Sequence, residues 1–431
     1  MTNPVTLAII GAGKRGEAYA DYAKKHPEQA TVVAVAEPRE VLRNRLAEQY
    51  GIPPERRFDS WESFARQPKM ADAALICTQD RMHRQPVEAI APKGYAILLE
   101  KPMSPELEEC EKIIACVKKH GNLFAVCHVL LYTELTQKLR EIVRSGAIGE
   151  IISVQNLEPV AWWHQAHSFV RGNWRNSTES SFMLLAKSCH DMDWMRHIVG
   201  KHCQRVASFG SLRHFKASEA PAGAAARCLD CPAAIEANCP YSAKRLYATH
   251  FGRDWIIDYL NDVITEGIGT REAVDQALRE GPYGRCVYAC DNDVVDNQTV
   301  MLEYEGPTTA TFTMTAFTPT IHRRSRIFGT RGFLDTDFIK IKVFDFVTEK
   351  ETVHDTSIDP NSATAASGHG GGDYQIMKAF VHAVATGDTS GIHSGPDATL
   401  ESHRITFAAE MARQQKRIIE MAEFDKAGTR H

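Results

Sequence analysis

The residues able to do chemistry in this chain of 431 residues begin near its start. Gly11-Ala-Gly13-Lys14-Arg15-Gly16 directly follows an apolar run, residues 5–10, and opens a helical pattern. A GxGxxG turn between strand and helix suits a pyrophosphate. The first glycine turns the chain tightly, the second lets phosphate approach the backbone, and the third lets the helix close on the strand. The helix N-terminus then faces the negative charge. Glu37 ends the second apolar run, where a carboxylate accepts hydrogen bonds from ribose hydroxyls and repels a 2′-phosphate. That favours NAD. Arg39 stands two residues on and is able to pair with a 2′-phosphate, which keeps NADP open. Lys101 follows the run AILL, at the strand end where ligands of doubly wound sheets bind. A lysine buried there beside other cations has a lowered pKa and can move protons, whereas an exposed one is a surface residue of a loop.

Further along, Trp162 and Trp163 can stack on the apolar face of a sugar ring, with His164, His167, Arg171, Asn173 and Arg175 as donors around it. The alternative for the tryptophans is the core. His128 and Tyr132 open the second domain and can reach the same crevice. Cys228-x2-Cys231-x7-Cys239, with Cys290 as a fourth thiolate, has the makings of a tetrahedral structural zinc site. Reduced thiols packed in a small helical unit are an equal reading. The remaining cysteines look like small hydrophobes of a cytoplasmic protein.

The elements that must position these residues change character along the chain. Apolar runs at 5–10, 31–36, 72–77, 96–99 and 123–127 alternate with helical patterns at 17–25, 38–50, 83–91 and 105–120. Such alternation predicts βαβ units and a parallel sheet, an α/β domain of Rossmann type over residues 1–127. Beyond it, strands at 151–157, 204–212, 299–304, 308–317 and 339–347 lack crossover helices. They predict an α+β domain over 128–431 with an antiparallel sheet. Residues 213–290 read as an insertion, 356–373 as a polar glycine-rich loop, and 374–385 and 398–417 as closing helices.

The triplet Glu100-Lys101-Pro102, the strand end Cys77-Thr78-Gln79-Asp80 running to His83, and GAGKRG together resemble the Gfo/Idh/MocA family of sugar and polyol dehydrogenases. KLREIVRSGAIGEI (138–151), SCHDMDWMRHIVG (188–200), Gly329-Thr-Arg-Gly332 and LESHRITFAAEMAR extend the resemblance over nearly the whole chain. It implies that Lys101 and His190 are catalytic, with His190 as general base. It also implies that Thr78, Asp80, His83 and Glu100 border the cofactor and Asp191 the substrate. It implies that the α+β domain carries a large open antiparallel sheet, that the active site lies between the domains, and that homo-oligomers are built through that sheet. Many members carry an aspartate one helical turn before the histidine; this chain has Ala186 there, followed by Lys187. Lys187 lies three residues before His190, so the two are expected on one helix face, where a second cation can hold an alkoxide.

Three functions compete. The first is NAD-dependent oxidation or reduction of a sugar or polyol. The second is redox-neutral cleavage of a glycoside, in which transient oxidation at C3 acidifies the C2 proton and elimination expels the aglycone, with Lys101, Lys187, His190 and His167 as bases and cations. The third is a nucleotide-sensing regulator without activity, against which the presence of Lys101 and His190 counts. With 50 Lys+Arg against 54 Asp+Glu, the chain lacks the charge excess of a nucleic-acid or membrane-surface binder. No apolar run approaches a membrane span, and residues 1–10 read as a strand, not as a signal peptide.

Overall fold

The computed structural model describes residues 3–249, 251–252, 255–358 and 369–428. Its first layer is a six-stranded parallel sheet of β1 (Val5–Ile10), β2 (Ala30–Ala36), β3 (Arg57–Phe58), β4 (Ala73–Ile76), β5 (Ala96–Leu99) and β6 (Phe124–Val126). The strand order is β3-β2-β1-β4-β5-β6. The order reverses between β1 and β4, and a crevice opens at their carboxyl ends. β4, β5 and β6 are buried at every position, because helices cover both faces.

The second sheet has nine strands. They are β7 (Ile151–Pro159), β8 (Cys203–Ser211), β9 (Asn297–Tyr304), β10 (Thr309–Thr315), β11 (Arg324–Gly329), β12 (Gly332–Thr336), β13 (Lys340–Asp345), β14 (Lys350–Asp355) and β15 (Ile419–Glu420), in the order β14-β13-β12-β11-β7-β10-β9-β8-β15. Most neighbours are antiparallel, but β7 and β10 run parallel in register Thr309↔Ser153 through Thr315↔Pro159. A parallel pair needs a long connection, and residues 160–308 supply it. The inner positions of β9 and β10 alternate with exposed ones, as expected of a sheet with one covered face. The helices Cys189–Val199 and Pro396–Gln415 cover that face, and the second also packs on the helix Leu107–His120 of the first layer. One continuous apolar core therefore runs from Leu7 and Ile9 through Leu130 and Trp194 to Val154 and Phe312.

Between β8 and β9 the chain forms a small unit with its own core of Phe215, Tyr241, Tyr247, Leu260 and Val274. Residues 359–368 of the expected polar loop lie outside the described residues.

Candidate active site

The glycine turn is a cradle that side chains would fill. Gly11 has φ +95°, and a Cβ on it would stand 2.6 Å from the Cys77 carbonyl oxygen. A Cβ on Gly16 would stand 2.1 Å from the Gly11 carbonyl oxygen, so the helix Lys14–Lys25 touches β1 there without side chains between them. Gly13 caps this helix with no side-chain acceptor, which leaves its first N–H groups available to an anion. Glu37, 2% exposed, accepts from the Ala12 N–H (2.8 Å) and from Arg39 Nε (2.7 Å). Burial pushes its carboxyl up, but Arg39 and the Ala12 N–H outweigh this and hold it below the ordinary range. Arg39 is thus paired with Glu37, which occupies the guanidinium that could otherwise meet a 2′-phosphate. These features fit a dinucleotide.

Two residues expected to face the cofactor have other partners. Arg15 turns inward: its Nε donates to Glu100 Oε1 (2.6 Å) and its Nη2 to Asp373 Oδ1 (2.7 Å), over the Tyr19 ring. Burial opposes ionisation of Asp373, yet Arg15 and then His369 hold it far below the usual range. Lys14 pairs with Glu17 and Asp262. Thr78, Asp80 and His83 brace loops. The Thr78 hydroxyl donates to the Met82 carbonyl (2.9 Å), Asp80 accepts from Ser181 (3.1 Å), and the buried His83 sits with Nδ1 2.8 Å from the Pro102 carbonyl oxygen.

The loop carrying Lys101 is pinned from both sides. His83 holds its carbonyl groups, and Nε2 of His403 accepts the Met103 N–H (3.0 Å). Glu100 accepts from the Lys101 N–H (2.8 Å), and Lys101 Nζ donates to the Ala186 carbonyl (2.8 Å), across to the second domain. Beyond it lies His190, 4% exposed, with both ring nitrogens free of protein partners. Burial, then Lys101, His128, His369 and Arg323, push its pKa well below the ordinary value. His190 is therefore neutral at physiological pH and can accept a proton. His128 stands edge-on behind it, ring centroids 5.7 Å apart, and its Nδ1 lies 4.0 Å from Asp193 Oδ2. Burial and the charges of Lys101 and Arg196 push His128 down to about 3. His369 flanks His190 on the other side at 5.8 Å.

Lys187 does not share a helix face with His190. It terminates the short helix Met183–Ala186, and a new helix starts at Cys189. Its ammonium instead meets Glu158 Oε1 (3.2 Å). Glu158 also holds Arg323 Nη2 (2.6 Å), and Arg323 grips both oxygens of Asp191 (2.8 and 3.0 Å). Asp191 is fully buried in this network, where Asn156 also donates to it, so it presents no oxygen to a substrate. Burial, with Arg323 and Lys101, lowers the pKa of Lys187 despite Glu158. His164 lies near Lys187 and Lys101 and is pushed well below its ordinary pKa by burial and these cations.

Other expected substrate residues serve the unit between β8 and β9. His167 bonds the Tyr247 hydroxyl (2.9 Å) and stacks on Tyr283. Arg171, 1% exposed, donates to the Arg285 and Tyr241 carbonyls (2.7 and 2.8 Å). Arg175 pairs with Asp291, and Trp162 packs at the edge of Tyr241. Trp163 is half-buried and stacks on His164, ring centroids 5.4 Å apart. The Tyr132 hydroxyl is consumed by Ser394 and by the His393 N–H. Sequence reasoning missed Glu158, Asp193, Arg323, His369 and Asp373.

The zinc expectation is not supported. Among the described residues no three His, Cys, Asp or Glu side chains gather to hold a metal ion. Cys228, Cys231 and Cys239 do line one small apolar pocket, but the fourth cysteine there is Cys286. Cys290 turns away, its thiol donating to the Cys286 carbonyl (3.2 Å). All are free thiols.

Comparison with known proteins places two family models on the chain. The model of an oxidoreductase family with an NAD-binding Rossmann fold matches residues 5–128, and that of the GFO/IDH/MocA C-terminal domain matches residues 136–237. The 2,7-anhydro-N-acetylneuraminate hydratase of Escherichia coli (strain K12) is 25% identical over 33% of this chain and 37% of its own length. The myo-inositol 2-dehydrogenase of Thermotoga maritima is 24% identical over 48% of this chain and 58% of its own length. The chain thus matches less than two thirds of these relatives' lengths. The crystal structure of scyllo-inositol dehydrogenase from Lactobacillus casei with NAD(H) and scyllo-inositol shares the fold, with TM-score 0.65 at 17% identity over 97% of this chain and 99% of that one.

Proposed function

The chain belongs to the GFO/IDH/MocA oxidoreductase family, and from that premise we propose that it oxidises or reduces a carbinol carbon of a sugar or polyol, with NAD as cofactor. The observation that supports this most is the reach of Lys101 Nζ to the Ala186 carbonyl, four residues before the buried His190, whose two ring nitrogens have no protein partner. A bound nicotinamide would supply the hydride acceptor. The protein must then remove the hydroxyl proton and stabilise the oxygen. Lys101 gives one N–H to the Ala186 carbonyl and keeps two for a substrate oxygen. His190, with no proton on one ring nitrogen, takes the hydroxyl proton. Glu37 favours NAD over NADP at the ribose. Glycine turn, Glu37, Lys101 and His190 are the residues we assign to cofactor and chemistry, with His164, Trp163 and His369 around the substrate.

A second reading, redox-neutral glycoside cleavage, draws support from the hydratase relative and from the extra imidazoles, His128 and His369, around His190. Elimination and water addition need more than one proton acceptor. One experiment separates the readings. The purified chain with NAD is offered myo-inositol, scyllo-inositol, levoglucosan and aryl glycosides. Growth of absorbance at 340 nm supports the first, and aglycone release without it the second. In either case Lys101→Met should cut turnover by roughly 10²–10⁴-fold while NADH still binds. A variant that keeps full turnover would remove Lys101 from the chemistry.

We place residues 1–127 and 128–431 as the two domains, with 213–290 inserted into the second, and the protein in the cytoplasm. No helix among the described residues is long and apolar enough to cross a membrane. We also propose a homo-oligomer through the open face of the second sheet, where Ile152, Phe209, Met301 and Val353 are each more than half exposed. Sedimentation of the purified chain tests this, and a monomer would refute it.

A further inference from the structure

The unit between β8 and β9 reaches back across the chain to the glycine turn. Its helix Trp255–Ile264 places Asp262 on Lys14, the first residue of the helix that follows the turn. Arg45, on the helix Glu40–Tyr50 after β2, donates from Nη2 to the Gly267 carbonyl (2.6 Å). Its Nη1 lies 3.8 Å from Asp262 Oδ1 and 3.1 Å from Glu17. Gly267 has φ +95°, and a Cβ there would stand 2.8 Å from Leu42 Cδ2, so this turn fits closely onto the first domain. Glu266, beside it, adds its charge to those that act on Arg39. Tyr259 lies with its ring centroid 5.9 Å from Lys14 Nζ and stays 45% exposed, with the charges of Arg15, Lys14 and Asp373 acting on its hydroxyl.

These contacts fall where a dinucleotide on the glycine turn would have its phosphates, beside Lys14, and its adenosine, beside Glu37 and Arg39. We propose that residues 255–269 are a strap across the dinucleotide cleft. Its fastenings are Asp262 to Lys14 and Gly267 to Arg45, and Tyr259 is its inner surface. The inference rests on the dinucleotide reading given above. Each fastening is a partly exposed polar contact and weak alone. Two of them, with the close fit of Gly267, make release of the nucleotide wait on separation of the strap. Loops that close on a ligand in this way often set the rate at which product leaves.

The test needs no substrate. NADH is bound to the full chain and chased with excess NAD, and release is followed by NADH fluorescence in a stopped-flow instrument. The double variant Asp262→Asn with Arg45→Ala should release NADH about ten-fold faster, the product of two weak contacts. Gly267→Val, which wedges the strap outward without changing charge, should also speed release. Unchanged or slower release in the charge variants, with circular dichroism like that of the parent, overturns the strap and leaves the proposed function standing. Failure of the parent chain to bind NADH overturns the proposed function and the strap together.

Discussion

Replacing Arg323 by methionine should destabilise the protein in a manner set by pH. Arg323 makes charge-assisted hydrogen bonds to both oxygens of Asp191 and an ion pair with Glu158, and both carboxylates are fully buried. Without it, Glu158 keeps Lys187, while Asp191 keeps only the amide of Asn156. An uncompensated charge at such a site costs about 3–5 kcal/mol. The protein has one escape, which is to protonate Asp191. From an ordinary carboxyl pKa near 4 this costs about 1.4 kcal/mol per pH unit, hence about 4 kcal/mol at pH 7 and about 1.5 kcal/mol at pH 5. The loss should therefore be about 4 kcal/mol at pH 7 and shrink by more than half at pH 5. Urea unfolding of parent and variant, followed by tryptophan fluorescence, measures both; Trp194 lies fully buried on the helix that carries Asp191. A loss below about 1 kcal/mol at pH 7, or one equal at both pH values, would refute the view that Arg323 neutralises this buried pair.

Two further outcomes follow from the same geometry. Gly16→Ala sets a methyl 2.1 Å from the Gly11 carbonyl oxygen and must push the helix off β1, so NADH binding measured by fluorescence titration should be lost, with overpacking adding about 1–3 kcal/mol of instability. Unaltered affinity would show that the turn does not hold the nucleotide. Asp373 has a depressed pKa in the folded chain, so the stability it contributes is present above its unfolded pKa near 4 and is lost as pH falls below that. Asp373→Asn should accordingly lower the melting temperature at pH 7 and differ progressively less from the parent below pH 4; a gap constant with pH would contradict the assignment.

The parallel layer was legible because strands buried on both faces are continuous apolar runs, and AILL at β5 matches its observed bounds. The glycine turn was legible because backbone approach leaves a mark in residue type. The second sheet was only partly so. β11 and β12 form a hairpin around Thr330-Arg331, but their short alternation, RSRIFG and GFLDT, was noticed only as a family motif. The site residues divide in the same way. Lys101 follows a strand end that a pattern can locate, whereas His190 was found only through its family motif. Arg171 and His167 look like sugar ligands because a donor's type does not disclose its partner. Their partners, Tyr241, Arg285 and Tyr247, lie 70, 114 and 80 residues away. Lys187 was misjudged because nothing in the residue types of 184–190 announces that the helix breaks at Lys187-Ser188.

The Met103 N–H finds its acceptor on His403, 300 residues later. During synthesis the nucleotide-binding layer can emerge and fold while the loop that bears Lys101 still lacks one of its two anchors. When the helix Pro396–Gln415 leaves the ribosome and docks, the loop gains this second anchor. A chain truncated before residue 396 should therefore lack this anchor of the Lys101 loop together with the packing of that helix against both layers.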